Sequence, residues 1–141
     1  MKIGSISENL NFEKRIAITP DIVKKYSSIG LEVILVENYG KHLGINDNEF
    51  VNLGAKILKD DDQILSTSDL IVQLGLPFEE KFSVLKENQN LIGILNPYEN
   101  KKYFNTLNEK KIISCCMELI PRISRAQSMD VLSSQANLAG Y

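Results

Sequence analysis

The sequence predicts an α/β fold in three layers: a mostly parallel sheet with helices on both faces. Three observations carry that expectation. Short apolar runs rich in β-branched residues alternate with capped or amphipathic helical segments along the whole chain, the order that builds a parallel sheet. The apolar runs are near-continuous, as strands buried on both faces are. Connections are short, and no repeat, linker or low-complexity stretch interrupts them. With 141 residues the chain suffices for one domain, burying roughly two-thirds of its unfolded surface.

Met1–Ile6 reads as the first strand. Thr19-Pro20-Asp21 opens a helix, with threonine at the cap, proline at the first helical position and an acid in the first turn. Ile22, Val23, Tyr26 and Ile29 share its apolar face, and Gly30 ends it. Glu32–Glu37 is a β-branched strand, and Asn38–Ile45 a polar, glycine-bearing loop. A short helix follows over Asp47–Leu53 with Gly54 as its stop, then a minor strand at Ala55–Leu58. Asp60-Asp61-Asp62 starts another helix ending near Ser66; the acidic run reads as a capped helix start, not a calcium loop. Strands are then expected at Asp69–Leu74, Asn90–Leu95 and Lys111–Glu118, with helices at Phe78–Leu85, at Pro97–Lys110 and from Ser124 onward.

Composition narrows the function classes. Sixteen basic and 18 acidic residues leave a formal charge of -2, so no broad basic face for nucleic acid is implied. No apolar run approaches the roughly 20 residues of a membrane helix, and the N-terminus lacks the apolar region of a secretory signal. Cys115 and Cys116 are adjacent, too close for an ordinary disulfide, and read as two small apolar residues on a buried strand of a reduced protein. His42, the only histidine, reads as a solvent-exposed loop residue with too few companions for a zinc site or a catalytic triad. No glycine set fits a dinucleotide fingerprint or a P-loop.

Two segments carry candidate chemistry. Glu13-Lys14-Arg15-Ile16-Ala17-Ile18-Thr19-Pro20 sets charged side chains just beyond the first strand, near where parallel sheets bind ligands. Pro121–Ser133 follows the last strand and packs Arg122, Arg125, Gln127, Asp130 and several hydroxyls into one stretch. Arginine offers a fork of donors, aspartate accepts from an amide NH₂, and glutamine does both. Such a loop can orient an amide-bearing ring without acid–base work.

At these segments the chain resembles the alanine dehydrogenase and nicotinamide nucleotide transhydrogenase superfamily, specifically the N-terminal subdomain of the transhydrogenase α subunit. "EKRIAITP" (Glu13–Pro20) is similar to the superfamily's first signature, and "PRISRAQSMDVLSSQANLAGY" (Pro121–Tyr141) to the transhydrogenase segment almost without departure. The resemblance implies a flavodoxin-like subdomain of the NAD(H)-binding component of a proton-translocating transhydrogenase. That enzyme moves hydride between NAD(H) and NADP(H). By position it assigns nicotinamide contact to Arg122, Gln127, Ser128, Met129, Asp130 and Ser133, with Arg122, Gln127 and Asp130 positioning the hydride. Arg15 resembles the substrate-carboxylate arginine of the dehydrogenase branch and is a candidate substrate or cofactor contact. No metal is implied.

The dehydrogenase branch carries a lysine after one central strand and a histidine after the next. Here those stretches read Gln73-Leu74-Gly75-Leu76-Pro77 and Asn96-Pro97. A 2-oxo-acid dehydrogenase needs a proton donor, whereas transfer between two nicotinamides needs none. An alanine dehydrogenase-like oxidoreductase and a free-standing, non-catalytic binding domain are the other readings. The resemblance further implies partners: a glycine-rich Rossmann NAD-binding domain absent from residues 1–141, an NADP(H)-binding domain, membrane-spanning subunits, and a second copy in a homodimer. The protein would lie on the cytoplasmic side, peripheral to the inner membrane. The helical character at Val131–Tyr141 reads as a chain cut from something longer, inactive by itself.

Overall fold

The computed structural model describes residues 1–140. The chain runs β1 (Lys2–Ser5), α1 (Pro20–Ser28), β2 (Glu32–Val36), α2 (Asp47–Asn52), β3 (Ala55–Leu58), α3 (Asp61–Thr67), β4 (Leu70–Val72), β5 (Asn90–Gly93), α4 (Lys101–Glu109), β6 (Ile113–Cys116) and α5 (Val131–Ala139). Four 3₁₀ turns intervene, at Lys41–Leu43, Glu79–Val84, Met117–Leu119 and Ser124–Met129. The six strands form one sheet in the order β3-β2-β1-β4-β5-β6, and every pairing is parallel. Without the edge strand β3, the order is the flavodoxin-like one. The α/β class is as expected.

Right-handed crossovers set α1 and α2 on one face and α3, the Glu79–Val84 turn and α4 on the other. Contacts agree: α1 packs on β2 and α2, and α3 on β1, β2 and the Glu79–Val84 turn, which also meets α4. Gly4 lets α3 close on the sheet, since a Cβ there would lie 2.1 Å from Ser68 Oγ. The core centres on Ile3, Val33, Leu35, Phe50, Ile64, Leu65, Ile71, Leu91 and Leu107, all nearly inaccessible.

Local chemistry explains most boundaries. Asp60 Oδ1 accepts the Asp62 N–H at 2.9 Å, so the acidic run is a capped helix start as expected. The Asn46 N–H donates to Glu49 Oε1 at 3.0 Å, closing the first turn of α2. Gly30 takes φ 81° just beyond α1. Four expectations shift. Thr19 holds the cap position of α1, but its hydroxyl makes no cap bond. Ile29 lies past the last turn and is 70% exposed, off the buried face. Phe78–Leu85 forms a 3₁₀ turn rather than an α-helix, and the helix expected from Ser124 is a 3₁₀ turn that breaks at Asp130 before α5 begins. The predicted helix through Tyr141 ends at Ala139; Tyr141 lies outside the described residues.

The largest correction concerns the cysteines. They do not lie on a buried strand: Cys115 is exposed and Cys116 half-buried. β6 is the last strand of the sheet. Helices α1 and α2 reach only β1, β2 and β3, so one face of β6 is bare among the described residues.

Candidate functional site

The order of strands reverses between β1 and β4, and ligands of open α/β sheets bind beyond the carboxyl ends of such a pair. Here a buried polar network fills that crevice. Tyr39 Oη accepts the N–H groups of Ala17 and Ile18, both at 3.1 Å. Its proton therefore goes to Ser5 Oγ at 2.8 Å, and Ser5 donates onward to Gln73 Oε1 at 2.8 Å. Gln73 Oε1 also accepts the Ile6 N–H, while its Nε2 donates to Ile6 O and Glu8 Oε1. Glu8 closes the chain by accepting the N–H groups of Leu74 and Gly75. Burial pushes the Glu8 carboxyl above its ordinary range, against the lowering pull of those two backbone donors. Burial likewise raises Tyr39.

This network anchors the segment that carries Arg15. Glu13 takes Arg15 Nε at 2.9 Å and Nη2 at 2.7 Å, a two-point grip that holds the Glu13 carboxyl below its usual range. The remaining amino group, Nη1, donates to Gln135 Oε1 on α5 at 2.7 Å. His42 is exposed, as expected, and its Nε2 donates to Lys14 O at 2.8 Å.

Beyond β6 the chain folds an open pocket of about 360 Å³, lined by Arg122, Ile123, Ser124, Gln127, Asp130 and Ser133. Asp130 caps α5: Oδ1 accepts the Ser133 N–H at 3.0 Å and Oδ2 the Ser133 hydroxyl at 2.6 Å. The Ser133 hydroxyl bond, with the backbone bond beside it, holds the Asp130 carboxyl below its ordinary range. Among the described residues, Arg122 makes no ion pair, and the side chains of Arg122 and Gln127 make no hydrogen bond. The pocket thus presents an unspent guanidinium fork and an unspent amide beside a carboxylate already engaged. A carboxamide, which accepts through oxygen and donates through NH₂, matches that donor set.

Residues 4–139 match the family model described as "Alanine dehydrogenase/PNT, N-terminal domain". The chain belongs to this family. It is 41% identical to the first of the separately encoded pieces of NAD(P) transhydrogenase subunit alpha in Rhodospirillum rubrum, over all of this chain and 38% of that protein. The protein of the same name from Rickettsia prowazekii is 36% identical, again over all of this chain and 38% of its own length. The crystal structure of transhydrogenase from Sinorhizobium meliloti superposes with a TM-score of 0.92 at 35% identity, covering all of this chain and 42% of that one. The chain therefore spans well under half the length of the relatives it matches.

Within this alanine dehydrogenase/transhydrogenase N-terminal domain, four of the six residues expected at the nicotinamide line one pocket: Arg122, Gln127, Asp130 and Ser133. Ser128 and Met129 lie beside it on the 3₁₀ turn, exposed, and do not line it. Arg15 is outside the pocket but bonded to the helix that Asp130 caps. Sequence reasoning missed Glu8, Tyr39 and Gln135. Gln73 stands out in the sequence only for not being lysine; its place at the end of an otherwise apolar strand is the signal that it is a buried strut. Tyr39, one aromatic in a polar loop, gives none.

Proposed function

We propose that this chain is the N-terminal portion of the NAD(H)-binding component of a proton-translocating NAD(P) transhydrogenase. The observation that carries this reading is the Arg122–Ser133 pocket, rich in orienting groups and without a proton donor. Arg122 would hold the carboxamide or neighbouring ribose, Gln127 and Asp130 the ring's orientation, and Ser133 the carboxamide. Asp130, held ionised by its two bonds from Ser133, is no general acid near neutral pH. NAD(H), when bound, supplies or accepts the hydride; the protein supplies placement, which is worth roughly 7–11 kcal/mol in favourable cases.

A glycine-rich Rossmann domain, an NADP(H)-binding domain and membrane-spanning subunits complete the assembly in this reading, and the NAD(H)-binding component sits peripherally on the cytoplasmic side as a homodimer. No helix among the described residues is long and apolar enough to cross a membrane. Residues 1–141 then form a subdomain that grips one end of the dinucleotide only. Titrating NADH into the chain by fluorescence or calorimetry should show weak binding or none, because the pyrophosphate turn is missing; micromolar affinity would count against the assignment. In the complete assembly, Arg122→Ala should slow single-turnover hydride transfer more than it weakens NADH binding. An unchanged transfer rate would sink the site.

A further inference from the structure

Helix α5 is poorly packed for an element that begins at the pocket. None of its nine residues is buried, and Leu132 and Leu138 are 44% and 69% exposed. Apolar contact therefore does little to set its direction, and the polar contacts must. Asp130 fixes its first turn. One tertiary hydrogen bond reaches its middle from the far end of the chain, Arg15 Nη1 to Gln135 Oε1.

Arg15 is built to aim. The two-point grip of Glu13 fixes the plane of the guanidinium, and the Arg15 N–H also donates to Glu13 Oε1 at 2.9 Å. The segment around it is tied down on both sides, by His42 at Lys14 O and by Tyr39 at the Ala17 and Ile18 N–H groups. Tyr39 in turn belongs to the buried chain Ser5–Gln73–Glu8 at the ends of β1 and β4. A second observation places the same two segments together: Ala17 and Val131 line one small cavity with Gln73, Leu74 and Met117.

We infer that Arg15 is a positioning residue, clasping α5 through Gln135 so that Asp130 and Ser133 are held facing Arg122 and Gln127. The Glu13–Lys14–Arg15 motif and the Pro121–Ser133 loop are then one device, joined by a bond between residues 120 apart in sequence. The positioning role rests on the nicotinamide reading of the pocket; the clasp itself does not.

The test has two arms. On the 141-residue chain, amide hydrogen exchange at constant pH is compared for the unmodified protein, Arg15→Ala, Gln135→Ala, the double variant and Arg15→Lys. Each single alanine variant should speed exchange in Ser134–Ala139 by roughly three- to tenfold, the loss of one charge-assisted bond. The double variant should do no more than either alone, and amides of β1 and β4 should not change. Arg15→Lys should not rescue, because an ammonium cannot hold Glu13 at two points while aiming another donor at α5. Additive effects, or no effect of Gln135→Ala, would overturn the clasp.

The second arm uses the complete transhydrogenase assembly. Gln135→Ala and Arg15→Ala should each lower hydride transfer several-fold more than they raise the NADH dissociation constant. Loosened α5 amides with unchanged transfer would overturn the positioning role. An unmodified assembly that neither binds NADH nor transfers hydride would instead overturn the nicotinamide reading, while exchange still decides the clasp.

Discussion

Two ends of the same sheet differ in how completely they are covered. One row of paired residues, Val33, Ile3, Leu70, Asn90 and Ile113, crosses from β2 to β6 on the face that carries α1. Val33 and Ile3 are almost wholly buried, Leu70 is half-buried, and Ile113 is 59% exposed. The row two residues on ends similarly, at exposed Cys115. The β3-β2-β1 end is a finished core between two layers of helix. The β5-β6 end is finished on one face only, and from it run the pocket and α5. Stability and candidate function are thus segregated: the covered end can hold a rigid platform, while the open end keeps polar groups and apolar surface available.

The largest expected effect contrasts single side chains at the two ends. Leu35→Ala removes a fully buried side chain of β2 and should cost about 2–5 kcal/mol. Ile113→Ala, on the bare face of β6, should stay within about 0.5 kcal/mol. Urea unfolding of both variants reads the difference directly. Comparable losses would mean that the β6 face is covered in solution, and the two ends would no longer differ.

The network between the two ends is the next lever. Gln73→Leu keeps the volume but strips both partners from Ile6 and one from Ser5 and Glu8. Leaving such groups unpaired should cost about 1–3 kcal/mol, less than the Leu35 cavity at its upper end and far more than Ile113→Ala. Unfolding at neutral pH measures it; a neutral Gln73→Leu would show that the crevice admits water in place of the amide.

How much of this is legible in the sequence follows the same division. Alternating apolar runs and cap residues yield the covered end nearly whole, because there local pattern and burial agree: Val33–Val36 is β-branched and leucine-rich, and it is buried. The pattern misleads at β6, where Ile112–Cys116 is apolar enough for a central strand. Edge position depends on which helices lie over it, and no local run encodes that. At the pocket, spacing brings Arg122, Gln127, Asp130 and Ser133 together correctly, since they fall within one turn-rich stretch. Arg15 with Gln135, and Tyr39 with the Ser5–Gln73 pair, are long-range associations that periodicity cannot supply.

Carboxylates at the two places should respond to acid with opposite signs. Asp130 has its pKa lowered by Ser133, so its contribution to α5 is present above the unfolded aspartate range and is lost as pH falls through the lowered folded value. Glu8 has its pKa raised by burial, so the folded state favours its protonated form; that contribution is present at low pH and fades as pH rises through the raised value. Acidification should therefore release α5 while the crevice holds. Chemical shifts of Ser133 and Ser134 amides should move on acidification before those of Leu74 and Gly75 report loss of fold. Asp130→Asn, an equally good cap, should remove the acid transition of α5; its persistence would place the titrating group elsewhere.

The smallest effect resolves the comparison to neighbouring residues. Cys115 and Cys116 are consecutive on β6, so their side chains point to opposite faces. Cys115 looks out from the bare face and Cys116 toward the covered one. Burial, with help from the charge of Glu118, pushes the Cys116 thiol above its usual range, so less of it is the reactive thiolate. Substoichiometric iodoacetamide should label Cys115 first, as read by peptide mass spectrometry, with almost no change in unfolding midpoint. Addition of whatever surface covers the β4–β6 face in a complete assembly should slow Cys115 labelling and leave Cys116 as it was. Prior labelling of Cys116 would mean that the bare and covered faces had been assigned the wrong way round, and the division between a finished and an unfinished end of the sheet would have to be redrawn from β6 inward.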